Sequence, residues 1–300
     1  MTYEPESSRD SIAPSTAREA QSPTALRIVL GHHLRRLRQA RGITVAAASQ
    51  AIRASHAKIS RLELGRVGFR ESDVAKLLTV YGLTAEKERA AFLALVRRSN
   101  VPGWWHQYSD IVPSWFETYL GLEQASSAIR TYQPQLIPGL LQVRQVARTI
   151  MQLGHPEESD DDIDHRVALR MTRQEILTQP GAPLLWAVLE EQSLWRLNGP
   201  PLMRKQIEHL IMMAELPNIN LQVVPIHSDA HVAVGGPFTI LRFADANLPD
   251  IVYLEQLTSA LYLDKHQDVE HYRIIMDQLS VHAKSPKETI EFLHKTLKAL

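Results

Sequence analysis

Between Thr24 and Arg98 the chain reads as a succession of short amphipathic segments with almost no connecting length between them, a pattern that a small helical bundle can satisfy. Leu26, Leu30, Leu34 and Leu37 recur at helical spacing. Arg41-Gly42 closes that run, since glycine accepts the left-handed conformation just past a helix end. Thr44 can cap a second helix with Val45, Ala48 and Ile52 turned inward, and Ser55 a third with Ile59 and Leu62 inward. Gly65 and Gly68 end the third. Val74, Leu77, Leu78 and Tyr81 predict a fourth, the break at Gly82–Thr84 follows, and Thr84 is expected to cap a fifth that packs Phe92, Leu93 and Val96.

The third segment, Ser55–Leu64, divides by face. At about 100° per residue, Ile59 and Leu62 point one way, while Ala57, Ser60, Arg61 and Leu64 point the other with His56 at the edge. A helix that only fills a core does not need an outward face of small residues followed by an arginine. A helix in a DNA major groove does, because small side chains allow close approach and arginine can donate two bonds to guanine O6 and N7. The free N–H groups and partial positive charge of a helix N-terminus suit a phosphate. The candidate base-reading residues are therefore His56, Ala57, Ser60 and Arg61, and the candidate phosphate contacts Ser55, Lys58 and Arg66. The linker Arg53-Ala54-Ser55 is short, as a helix-turn-helix requires.

Charge points the same way. The chain is neutral overall, yet residues 24–100 hold 15 Lys/Arg against 5 Asp/Glu, a net of +10, and residues 101–300 hold 16 against 24. A basic block beside an acidic one suggests that only the first meets a polyanion. The competing reading is a protein-interaction bundle with an incidental, solvated basic face.

This segment resembles the Xre/Cro-type helix-turn-helix of phage repressors and their bacterial relatives. The features that carry the likeness are "LRRLRQARGIT" (34–44), the spacing Ala48, Ile52, Ile59, Leu62, and the ending "SRLELG" (60–65). The resemblance implies base contacts from His56, Ala57 and Arg61, with Ser55 on phosphate. It also implies a structural ion pair between Arg38 and Glu63. Val45 stands where many members carry a phosphate-orienting glutamine. Ala57, at an early position where glutamine or asparagine is common, can offer only an apolar contact, for instance to a thymine methyl.

Residues 1–23 are rich in Ser, Pro, Thr, Glu and Ala without a sustained apolar period, and are expected to be a disordered tail. At 99–115, "SNVPGWWHQYSDIVPSW" interrupts the helical period and holds three of the five tryptophans, which places a domain boundary near residue 100. Beyond it, helices are expected at 115–131, 139–153, 162–178 and 201–215, then at 267–279 and from 285 to the end. Strands are expected at 184–190, 219–226, 237–244, 250–256 and 260–264. The closely spaced last strands suggest an antiparallel meander. The expected architecture is thus a mainly α five-helix domain at 24–100 followed by an α+β domain at 101–300 with a small antiparallel sheet and no regular βαβ alternation.

In the second block Arg166, Arg170 and Arg173 form a basic stripe at helical spacing. It can be solvated, can pair with the acidic run "EESDDDID" (157–164), or can form a site for an anionic ligand or partner. His227, Asp229 and His231 lie close together in "HSDAH", a set that can bind zinc, although polar loops commonly carry such residues and no supporting partner is visible. The chain has no cysteine, which removes disulfides, thiolate metal sites and cysteine nucleophiles and fits a reducing cytoplasm. No G-x-S-x-G, phosphate-binding glycine loop or H-E-x-x-H is present, so neither an enzyme nor a cofactor is expected. No apolar run is long enough to span a bilayer, and the acidic, polar N-terminus is unlike a secretory signal.

The motifs "LGLEQAS" (120–126), "PGLLQ" (138–142), "VLEEQSLWR" (188–196), "LQVVP" (221–225), "GPFTIL" (236–241) and "VYLEQL" (252–257) make the second block similar to the C-terminal domain of a regulator family abundant in filamentous actinobacteria, some of whose members are called antitoxin-like. The resemblance implies a transcription factor partnered by a small protein encoded nearby. A single helix-turn-helix covers only about 600–1,000 Å² of protein surface, so a homodimer reading an inverted repeat in double-stranded DNA is expected.

Overall fold

The computed structural model describes residues 22–196, 199–226, 236–245 and 248–300. His227, Asp229 and His231, and the tail up to residue 21, lie outside them. The chain divides into two compact units, Met1–Gly103 with Ala244–Leu248, and Trp104–Phe243 with Pro249–Leu300.

The first unit contains α1 (Pro23–Ala40), α2 (Val45–Ala51), α3 (His56–Glu63), α4 (Glu71–Val80) and α5 (Glu86–Ser99). Local chemistry sets the first three starts. The hydroxyls of Ser22, Thr44 and Ser55 accept from the backbone N–H groups of Ala25, Ala47 and Lys58 at 3.3, 3.1 and 3.2 Å. Thr84 does not cap α5. Ala85 occupies the cap without a side-chain bond, and Glu86 and Glu88 complement the positive helix end instead. Leu26, Leu30, Leu34, Ile59, Leu62, Leu77, Leu78, Tyr81, Phe92 and Val96 form the buried centre, with Leu37 and Leu93 partly buried around it. Each such aliphatic side chain removed from water contributes roughly 1.5–3 kcal/mol.

In the second unit, α6 (Ser114–Ala125) ends six residues earlier than expected, and Ala128–Gln133 forms a strand, β1. A 3₁₀ turn at Gly139–Leu141 and α7 (Arg144–Gly154) replace the single helix expected at 139–153. There follow α8 (Asp160–Gln174), β2 (Leu184–Glu190), α9 (Pro200–Ala214), β3 (Ile219–Val224), β4 (Phe238–Arg242), β5 (Ile251–Glu255), β6 (Ala260–Leu263), α10 (His266–His282) and α11 (Pro286–Ala299).

The six strands form one sheet in the order β3-β2-β1-β4-β5-β6. β1 pairs in parallel with β2 and β2 with β3, whereas β4, β5 and β6 continue from β1 as an antiparallel meander. The sheet is therefore mixed, and the expectation of a small antiparallel sheet is corrected. The reason is β1. With a central strand at 128–133, α7–α8 and α9 become the crossovers that parallel pairing demands. On one face α10 places Val269, Met276 and Leu279 against Tyr132, Val188, Val224, Phe238, Ile240 and Val252. The opposite face carries buried Thr131 and Thr239, whose hydroxyls lie 2.9 Å apart.

Candidate nucleic-acid interface

Helices α2 and α3 are joined by Arg53-Ala54-Ser55, and Arg53 takes φ +52, the left-handed region. An L-residue there costs about 1–2 kcal/mol relative to its ordinary conformations, a cost that glycine escapes. In urea unfolding, Arg53→Gly is expected to be about 1 kcal/mol more stable than Arg53→Ala. Equal stabilities would mean that the turn relaxes out of the left-handed conformation.

Three contacts fix the attitude of α3. Its C-terminal end meets α1 backbone to backbone: a Cβ on Gly31 would stand 2.6 Å from the Leu62 carbonyl oxygen, and one on Gly65 would stand 2.6 Å from Ile28 N and Cα. Beside that contact, Arg38 donates from Nε and Nη2 to the two carboxylate oxygens of Glu63 at 2.6 and 2.8 Å, and from Nη1 to the Ile43 carbonyl at 2.8 Å. Glu63 holds the Arg38 guanidinium above its ordinary pKa through this hydrogen-bonded contact. The buried Tyr81 hydroxyl is pushed upward, first by burial and then by the Glu63 charge. On the far side Lys58 Nζ lies 2.7 Å from Asp73 Oδ2, tying α3 to α4.

With the inner face held, Ser55, His56, Ala57, Ser60 and Arg61 of this segment are exposed, as is Arg66 just beyond it. The Arg61 side chain lies back along its own helix, Nε donating to the Ala57 carbonyl at 3.4 Å, a weak bond that leaves the guanidinium in solvent. The structure brings His56, Ala57, Ser60 and Arg61 onto one surface. It does not leave Lys58 with them. Its ammonium reaches instead to the Asp73 carboxylate, with about a third of the lysine side chain still in solvent, at 34% exposure. Sequence reasoning missed Gly31 and Arg53. A glycine inside the leucine-periodic run of α1 costs about 1 kcal/mol against alanine, and that cost was the available sign of a close backbone approach.

The arginines singled out in the second unit do not form an open anionic-ligand stripe. Arg166 donates from Nε and Nη2 to both oxygens of Glu158, each at 2.6 Å, and from Nη1 to the Ile111 carbonyl at 3.0 Å. That contact holds the Glu158 carboxyl below the usual range. Arg173 is engaged with Glu123 at 2.5 and 2.7 Å. Glu158 belongs to the acidic run 157–164, so Arg166 pairs with that run, whereas its Asp160 and Asp164 go to Arg148 on α7. Arg170 stands apart, with Gln142 as its hydrogen-bond partner. Among the described residues, no three His, Asp or Glu side chains are grouped as a metal site would need, and no helix is long and apolar enough to cross a membrane.

Two short helices across a tight turn, the second with an exposed face of small residues and arginine, make this a helix-turn-helix protein, a class of DNA-binding module. A family model described as "Helix-turn-helix domain" matches residues 29–92. A second, described as "Domain of unknown function (DUF5753)", matches residues 116–295, and the chain belongs to that family. Neither the curated proteins nor the solved structures contain a match to it.

Proposed function

We propose that this protein is a sequence-specific transcriptional regulator of the Xre/Cro type that reads the major groove with α3 and is controlled through its second unit. One observation carries the reading. Gly31, Gly65 and the Arg38–Glu63 pair fix the inner face of α3 to the bundle, and the face left in solvent carries His56, Ala57, Ser60 and Arg61 within a segment of net charge +10. Arg61 supplies the bidentate donor for guanine. Ala57 allows close approach, and the exposed Ser55 and Arg66 contact the flanking phosphates. The protein acts by binding rather than catalysis. It reads an inverted repeat as a homodimer, with half-sites spaced by whole helical turns. The second unit supplies the dimer contact and receives the controlling signal, a small partner protein in the antitoxin-like form of the proposal.

The operator comes from genome-wide mapping of bound DNA, and Arg61→Ala is then compared with the parent on that site at fixed salt. Loss of a bidentate base contact is expected to weaken binding by about 1–3 kcal/mol and to relax the preference at one base pair. Unchanged affinity with an intact fold removes Arg61 from the reading surface. A loss equal on all sequences moves it to the phosphate class.

A further inference from the structure

We propose that the second unit holds a small-anion site at Arg170, which takes a carboxylate or phosphate group on the free edge of its guanidinium. Arg170 and Arg173 lie on the same side of α8, and Glu123 serves only one of them. The Glu123 carboxylate accepts two bonds from Arg173, at 2.5 and 2.7 Å, and a third from the Tyr119 hydroxyl at 2.8 Å. Arg170 has no ion pair among the described residues. Its one hydrogen bond runs from Nη1 to Oε1 of Gln142, a neutral acceptor, at 2.6 Å. The Nε–H and Nη2–H edge is left over, and that is an edge arginine uses to grip a carboxylate or phosphate with two parallel bonds.

The surroundings keep that edge uncovered and in place. Gly139, in the loop after β1, lies against it. A Cβ there would stand 3.8 Å from Arg170 Nε and 3.2 Å from Arg173 Nη1, so glycine leaves room that a side chain would fill. The loop is pinned. Gln142 donates from Nε2 to the Ile137 carbonyl at 2.6 Å, which aims its oxygen at Arg170, and Gln174 donates to the carbonyls of Gly139 and Gln142 at 2.7 and 2.8 Å. The loop also leaves the carboxyl end of a strand in the parallel half of the sheet, where open α/β sheets place their ligands.

The charges acting on Arg170 are Arg173 and Glu255. Burial and the neighbouring guanidinium push its pKa down to about 10, with Glu255 opposing, so it stays charged at neutral pH. Glu255 is exposed and accepts the Tyr253 hydroxyl at 3.2 Å, so it screens Arg170 without pairing with it. A half-buried cation with no counter-ion bonded to it is costly, and a bound anion removes that cost.

The inference is independent of DNA binding, and its test uses none. The full chain is titrated calorimetrically in chloride buffer with succinate and, separately, with inorganic phosphate. One of the two is expected to bind at one site per chain; succinate alone marks a carboxylate ligand and phosphate alone a phosphate ligand. Arg170→Gln should weaken that binding at least about tenfold, as loss of charge-assisted bonds implies, while melting no lower than the parent in chloride. Arg170→Lys, which keeps the charge without the fork, should also weaken it, and Arg148→Gln should not. Binding of neither anion overturns the proposal. So does binding that survives in Arg170→Gln or, if that variant does not fold, in Arg170→Lys. A marked loss of stability in Arg170→Gln without any loss of binding would make Arg170 a structural residue.

Discussion

Glu63→Ala is expected to lower the stability of the first unit by about 3–5 kcal/mol, the usual cost of breaking a buried ion pair from one side. Both side chains are nearly out of solvent, at 10% and 6% exposure. The substitution leaves the Arg38 guanidinium with its Ile43 carbonyl bond and two unmet donors in a hydrophobic bundle. The Coulomb gain of the native pair is not the relevant quantity. The penalty comes from stranding a charge, so Arg38→Met combined with Glu63→Leu should recover most of the loss, and the pair is then seen to secure orientation more than stability. The tryptophans make the measurement selective. All five lie at or beyond Trp104, so their fluorescence reports the second unit, while helical circular dichroism reports both. The expected signature is an earlier loss of part of the helical signal with the tryptophan transition unmoved. If Glu63→Ala melts like the parent, the pair carries no weight.

How far the fold was legible depended on where local and tertiary signals agreed. The helices of the first unit were readable because an apolar period and a capping hydroxyl coincide at Thr44–Ala51, and at Ser55–Gly65 a terminal glycine joins them. At α5 they did not coincide, and Thr84 was the wrong cap. In the second unit, Ala128–Gln133 follows a helix with no glycine or proline between them, and its Arg130, Thr131 and Gln133 are polar for a central strand. Its identity comes from neighbours on both sides, β2 and β4, which no local pattern announces. With β1 unseen, the parallel half of the sheet was unseen as well. At the candidate interface the outward face of α3 followed from periodicity, and the Arg38–Glu63 pair from family likeness. The Lys58–Asp73 contact crosses between helices and leaves no trace in spacing.

Gly65→Ala should destabilise the first unit by about 2–5 kcal/mol and weaken DNA binding even where the protein remains folded. Two costs combine. The residue sits at φ +65, where an L side chain loses about 1–2 kcal/mol. The new Cβ would also press on Ile28 N and Cα at 2.6 Å and on Arg27 C at 2.7 Å, all backbone of α1. Backbone in a packed helix cannot swing aside as a long side chain can, and overpacking of this kind typically costs about 1–3 kcal/mol. Gly42→Ala separates the two costs. Its φ is +63, but nothing lies within 4 Å of the added carbon, so only the conformational cost of about 1–2 kcal/mol applies there. Gly31→Ala supplies the converse case, a helical residue whose Cβ meets the Leu62 carbonyl at 2.6 Å, where alanine's better helix propensity, worth about 1 kcal/mol, offsets part of the clash. Because Gly31 and Gly65 hold the same two helices together, the double variant should cost less than the two single losses added. The strain is relieved by moving α3 away from α1, which changes the attitude at which the proposed reading presents Arg61 and Ala57 to DNA. Affinity for the mapped operator should therefore fall in Gly65→Ala and not in Gly42→Ala, measured well below both melting temperatures. Equal affinity in the two variants would mean that the attitude of α3 does not depend on its contact with α1.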